Sequence, residues 1–332
     1  PAGDFIFLAQ KYWNGNPYVH FYRLDPQGEI EATHSLSSGW LGKNMECNVN
    51  GRYLGVASAV IEFDENGSLK RNFELPSYQG HRPPFTLAAH PTGRLEVAFS
   101  IPPEPLDDAP YYTNGGVDAG VRHLNEHFQQ SSSNSYGNPA DDVFEAILAT
   151  PDSGFVAAGW TNSDYNYGAA TTCGKDVWVR KVNKYGGGWS RPFGGDADDV
   201  ANTVLLDTDG GYLVAGSTRS TEGDVSKNKG GEDAWLLKLD AELNLIWEKT
   251  FGGSGDDAFT SLRRLPDGSL LAAGRSTSND GDLAQAQPLG GSDFWVVRLT
   301  LQPPHDFLGK DTTICAAATI VMDATPLEGG QG

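Results

Sequence analysis

Carboxylates are the chemistry-bearing residues that this chain repeats. Adjacent aspartates stand at Asp141/Asp142, Asp198/Asp199 and Asp256/Asp257, with a period of roughly 58 residues. A lone aspartate precedes an apolar run at Asp118, Asp176, Asp233 and Asp293, and further acids sit in the glycine-containing stretches Glu222-Gly223-Asp224 and Asn279-Asp280-Gly281-Asp282. Two chemistries want carboxylates this close. Paired acids do acid–base and nucleophilic work on glycosidic bonds, and hard cations take several carboxylate and carbonyl oxygens. Calcium is therefore the cofactor to expect, with Asp224, Asp280 and Asp282 as metal ligands. A plainer use competes with both: aspartate beside glycine caps a turn through its own side chain. Neither loop carries the full alternating ligand set of a calcium loop, and acids recurring at one repeat position are better explained by the repeat than by a unique active site.

The second chemistry is aromatic. Tyr111, Tyr112, Tyr136, Trp160, Tyr165 and Tyr167 fall in long connections among Asn114, Asn134, Asn162, Asp164 and Asn166. Ring faces for stacking, with amides and carboxylates for hydroxyls, are what a neutral sugar needs, so these six are the expected ligand-binding residues. Tyrosines that merely pin long loops are the alternative. No catalytic residue is assigned. His123 and His127 flank a turn without a metal-ligand partner at a usable spacing, and neither a GxSxG elbow nor a phosphate-binding loop occurs.

The elements that must position these groups are short strands. From Phe193 to Asp257 the chain passes through one complete period, with apolar runs too short for ordinary helices separated by turn residues. Strand A is Thr203–Leu206, B is Tyr212–Gly216, C is Ala234–Leu239 and D is Leu245–Thr250, with Asp209-Gly210-Gly211 as the A–B turn. Comparable units span about 1–40, 41–80, 81–137, 138–195, 196–253 and 254–309. Four-strand units cannot bury both faces alone and must stack. The predicted fold is an all-β, six-bladed β-propeller of four-stranded antiparallel blades, with a short C-terminal β segment. In such blades the B–C loops and the D-to-A connections share one face, here called the top, which carries both the acids and the tyrosines. Trp178, Trp235 and Trp295 share a repeat position and are expected in the core between blades, as are Trp189 and Trp247. The third unit has Gly120 in place of that tryptophan.

Composition narrows the partners. Lys and Arg number 24 against 43 Asp and Glu, a net charge of −19, which disfavours nucleic acid and anionic membrane. Cys47, Cys173 and Cys315 have no paired spacing. No apolar run has the length of a membrane span. The chain begins inside a unit, without strand A, and without Met or a signal peptide, as a processed or truncated product would.

Units reading FGG–x–x–DD, DGGY, GST, EGD, GG–x–D–x–W and LIW resemble the repeats of large secreted Bacteroidetes proteins, closely over Asp141–Gly309 and loosely over Pro1–Gly137. The stretch DTTIC…MDAT within 310–332 resembles the opening of an Ig-like module. That resemblance implies export by type IX secretion and a secreted, cell-surface, adhesin-like role, with adjoining Ig-like modules of the same polypeptide as neighbours. The function expected is a binding or display module for an extracellular glycan or protein surface, with neither nucleic-acid binding nor membrane insertion. The alternative is a polysaccharide-acting enzyme of glycosidase or lyase type, with its site in a top-face cleft. The tail strands Thr312–Cys315 and Thr319–Ala324 are expected to return beside Phe5–Ala9, whose unit lacks strand A.

Overall fold

The computed structural model describes residues 5–13, 16–25, 27, 29–36, 45–47, 53–56, 59–64, 68–74, 86–103, 115–162, 174–284, 291–302 and 319–323. In chain order these form β1 (Phe5–Trp13), β2 (Asn16–Leu24) and β3 (Ile30–Leu36); β4 (Met45–Cys47), β5 (Tyr53–Val56), β6 (Ala59–Phe63) and β7 (Leu69–Glu74); and β8 (Thr86–Ala89), β9 (Leu95–Ile101), β10 (Asp118–Leu124) and β11 (Gln130–Tyr136). There follow β12 (Asp142–Ala149), β13 (Phe155–Thr161), β14 (Asp176–Val182) and β15 (Gly188–Phe193); β16 (Asp199–Leu206), β17 (Tyr212–Thr218), β18 (Asp233–Leu239) and β19 (Leu245–Phe251); and β20 (Asp257–Arg264), β21 (Leu270–Ser276), β22 (Asp293–Gln302) and β23 (Thr319–Asp323). Each group is one antiparallel sheet of sequential neighbours, five of four strands and the first of three. Among the described residues the one helical element is the 3-10 turn Gly281–Leu283. The protein is all-β, and its six sheets are the blades of a β-propeller.

The chain divides into two compact units, one of Pro1–Thr172 with Trp178–Pro192, the other of Cys173–Val177 with Phe193–Gly332. In the first, a core of Leu87, Val97, Phe99, Ile101 and Leu124 lies beside another built on Ala119, Phe144, Phe155, Ala157 and Trp178. In the second, Leu213, Leu236, Phe251, Phe259, Leu270 and Trp295 form a single core.

One row of residues explains how the repeat packs. In β20–β21–β22 the row is Phe259, Gly274, Trp295, and in β16–β17–β18 it is Ala201, Gly216, Trp235. The central glycine lets Phe259 and Trp295 stack over it with centroids 5.2 Å apart, as Phe144 and Trp178 do at 4.6 Å. A Cβ on Gly159, Gly216 or Gly274 would lie 1.9, 1.9 or 1.8 Å from the carbonyl oxygen of Val143, Val200 or Ala258. Those carbonyls come close because each A strand bulges there, between Phe144 and Ala146, Ala201 and Thr203, and Phe259 and Ser261. The bulge also hides the strand's start: it breaks the two-residue alternation, so strand A reads from Thr203 in sequence while pairing begins at Asp199. Trp178, Trp235 and Trp295 are buried as expected, and Trp247 is half-buried against the second unit's core.

Three expectations are corrected. Trp189 is 42% exposed on β15, because it faces outward beside the C–D turn. Tyr136, read as a ligand-binding residue, is buried at the end of β11 with Phe144 and Phe155 around it and Arg180 over its ring. Thr319–Asp323 does not return beside Phe5–Ala9: it pairs with β22 from Arg298 to Gln302, supplying strand D of the last sheet, while β1 pairs with β2. The chain continues the meander there, and the free edge of β22 offers its backbone groups to the next strand in sequence. Thr312–Cys315 lies outside the described residues. The polar strand β11, QSSSNSY, has no apolar run to announce it because all but its last residue avoid full burial.

Candidate functional site

The top-face acids form three copies of one joint. The first aspartate of each pair reaches sideways: Asp141, Asp198 and Asp256 Oδ1 accept the backbone N–H of Val117, Lys175 and Glu232 at 2.8, 2.9 and 2.9 Å. Each acceptor bond lands on the residue just before the marker aspartate of the preceding strand C. The second aspartate caps its own connection, with Asp142, Asp199 and Asp257 Oδ2 accepting from the N–H of Asn138, Gly195 and Gly253 at 2.8, 3.0 and 2.8 Å. The hydroxyls of Ser220 and Ser278 add 2.7 Å bonds to Asp199 and Asp257. These carboxylates are consumed in holding one blade's entry strand to its neighbour's loop.

The B–C loops dock on the same joints. Asp224 and Asp282 each donate their backbone N–H to the carbonyl of Gly194 or Gly252 at 2.9 Å and accept that glycine's N–H on Oδ2 at 3.1 Å. Asp280 Oδ1 accepts from Ser254 N at 2.6 Å, and this bond together with one from the Ser254 side chain holds its carboxyl below the usual range. The FGG glycines are required by crowding: a Cβ on Gly194 would fall 2.3 Å from Asp176 Oδ1 and 2.5 Å from Asp199 Oδ2. Thus Asp224 and Asp282 make matching contacts at two successive joints, and Asp280 adds its bond to Ser254 at the second. Among the described residues no group of three or more carboxylate, imidazole or thiolate side chains is arranged to hold a metal ion.

Crowding of acids raises their proton affinity. Burial, then the charges of Asp199 and Asp224, push the Asp176 carboxyl up to about 6. Burial also pushes Asp233 to about 6, with Asp257 and Asp282 adding to it and the backbone and charge of Lys229 opposing it. Lys229 Nζ pairs with Asp282 and donates to the carbonyl of Thr250 at 3.0 Å. Asp199 is raised too, first by burial.

Of the six aromatics read as ligand-binding, Tyr111, Tyr112, Tyr165 and Tyr167 lie outside the described residues. Trp160 is half-buried, its Nε1 donating to Glu145 Oε1 at 3.3 Å, and Asn162 caps Asp141 N at 2.6 Å. Tyr136 is held in the core, where burial pushes its phenol up to about 12.

The opposite end of the first unit holds a cluster that spacing did not reveal. Glu96, fully buried on β9, contacts His90 Nε2 at 3.2 Å, Arg94 Nη2 at 2.8 Å and His123 Nδ1. Arg94 also donates to the carbonyl of Ser153 at 2.6 Å, tying β9's turn to the next blade's turn. Burial alone would raise the Glu96 carboxyl, but the two imidazoles and Arg94 outweigh it and hold it low. His127 stays exposed beside Glu126. The available signal was an acid at a B-strand position that holds Val156 and Leu213 in the later repeats.

A repeat-built, all-β protein of propeller blades is the class that these features define. No protein-family model matches the chain, and no curated protein matches it. Among solved structures it is similar to hydrazine synthase of Kuenenia stuttgartiensis, at 11% identity and a TM-score of 0.50, over 89% of this chain and 70% of that one. It is also similar to a member of the DUF4221 family from Bacteroides vulgatus, at 12% identity and a TM-score of 0.38, over 88% and 96%. The C-terminal WD40 domain of Sif2 matches at 11% identity and a TM-score of 0.43, over 81% and 78%. At such identities the likeness concerns the fold alone.

Proposed function

We propose that this chain is a binding or display module of a larger, secreted, adhesin-like cell-surface protein, and that it takes an extracellular glycan through its top-face loops. The supporting observation is that the top-face carboxylates repeat the same backbone-capping bonds at successive joints. A glycosidase needs one acid whose proton affinity is set apart from its surroundings. Here the raised carboxyl recurs at one repeat position, Asp176 and Asp233, and its cause is the joint itself. Each joint stiffens the strand ends that carry the B–C loops, and loops held on rigid elements suit recognition.

The test is a glycan array on the whole chain, with calcium and with chelator. Binding to neutral glycans that falls at least about fivefold in Tyr111→Ala, Tyr165→Ala or Tyr167→Ala supports the reading. Unchanged binding in all three, with the fold intact, overturns it. Release of reducing ends from a polysaccharide, lost in Asp176→Asn, would favour the enzyme instead.

A further inference from the structure

The C–D hairpin of the fourth blade departs from its repeat in a way the fold does not need. Its turn is closed as in the sibling blades: Asn183 Oδ1 accepts from Tyr185 N at 2.9 Å, as Asn125 does from His127 N and Asp240 from Glu242 N, each at 2.9 Å. One residue further on, the siblings place Phe128 and Leu243, both with positive φ and both buried as apolar plugs. The fourth blade has Gly186 there, where an added Cβ would meet nothing within 4 Å. The inward anchor is gone, and the aromatic side chains point out: Tyr185 is 83% exposed and Trp189 42%. Lysine ammoniums accompany both rings, Lys184 Nζ 5.0 Å from the centroid of Tyr185 and Lys181 Nζ 5.5 Å from that of Trp189. Arg191 is exposed on the same strand, and Asp152 lies near Lys181.

We propose that Lys181, Lys184, Tyr185 and Trp189 form a binding site for an anionic polysaccharide, one carrying carboxylate or sulfate groups. The site is separate from the top-face loops. Tyrosine and tryptophan give large contact area for few rotatable bonds and stack on the apolar face of a sugar ring. An ammonium beside each ring pairs with an acidic substituent of the stacked or adjoining sugar. A net charge of −19 repels an anionic polymer at long range, so its binding rests on the short-range attraction where cations and rings coincide. Four side chains on one hairpin are too few for a stable protein interface, which needs about 800 Å² per partner, whereas a slender polysaccharide chain needs only a few.

The whole chain is titrated with polygalacturonate, alginate and a sulfated glycan, with neutral dextran and single-stranded DNA as controls. Binding to at least one acidic polysaccharide is expected, weakened about fivefold or more in Tyr185→Ala and in Trp189→Ala. Lys184→Gln is expected to weaken binding and flatten its salt dependence, and Lys184→Arg to retain it. Tyr165→Ala leaves this binding unchanged, which separates it from the top-face reading. The proposal is overturned if no acidic polysaccharide binds, if Tyr185→Ala binds like the parent, or if single-stranded DNA binds equally well.

Discussion

Phe99 and Gly120 face each other across β9 and β10, and they exchange the sizes that Gly216 and Trp235 have across β17 and β18. A Cβ on Gly120 would sit 2.6 Å from the Phe99 ring, so the phenylalanine fills from strand B the space that tryptophan fills from strand C. The third unit looks degenerate in sequence, yet its packed volume is conserved by a swap between neighbouring strands.

That swap predicts non-additivity. Phe99→Gly leaves a cavity costing about 3–5 kcal/mol, and Gly120→Trp overfills the core at a cost of about 3 kcal/mol. The double variant should recover more than half of the combined loss in denaturant unfolding. A double variant as unstable as the sum of the singles would show that the two positions are independent.

The crowded joints predict a pH dependence of defined sign. Asp176 keeps its proton to about 6 in the folded chain, against about 3.9 for an unfolded aspartate. Between those values the folded state binds more protons, so this group's contribution to stability is complete below the lower value and is lost as pH rises through the upper. Asp176→Asn removes that loss and should gain about 1 kcal/mol at pH 7, after allowance for screening of a partly exposed group. At pH 4 the gain should vanish. Thermal unfolding of parent and variant across pH 4–7 measures it, and a gain independent of pH would contradict the assignment.

Glu96→Gln leaves Arg94 without its buried carboxylate and should cost about 3 kcal/mol or more. Glu126→Gln, beside the exposed His127, should change stability by under about 0.5 kcal/mol. Chemical denaturation compares the two. Equal effects would mean that the Glu96 cluster does not hold its blade.

Legibility followed how local the encoding was. Strand positions, turns and the Trp178, Trp235 and Trp295 core sites were readable because alternation and repeat position are carried by neighbouring residues. Tyr136 and Trp189 were misplaced for opposite reasons: one closes a polar strand that has no period, and the other sits on a strand beside a turn whose inward plug has become glycine. Asp141, Asp198 and Asp256 were legible as one repeat position, but their backbone partners just before the preceding strand C were not.

By itself the sequence determined a repeated four-strand, all-β unit, since a two-residue period and glycine-marked turns act within a few residues of chain. Only the tertiary structure decided that Glu96 meets His90, Arg94 and His123, that Asp176 lies against Asp199 and Asp224, and that Thr319–Asp323 completes the last sheet. Those outcomes depend on strand register and on which loop packs over which joint. Side chains far apart in the chain become partners there because buried charges and free strand edges must be satisfied by whatever the packing brings within reach.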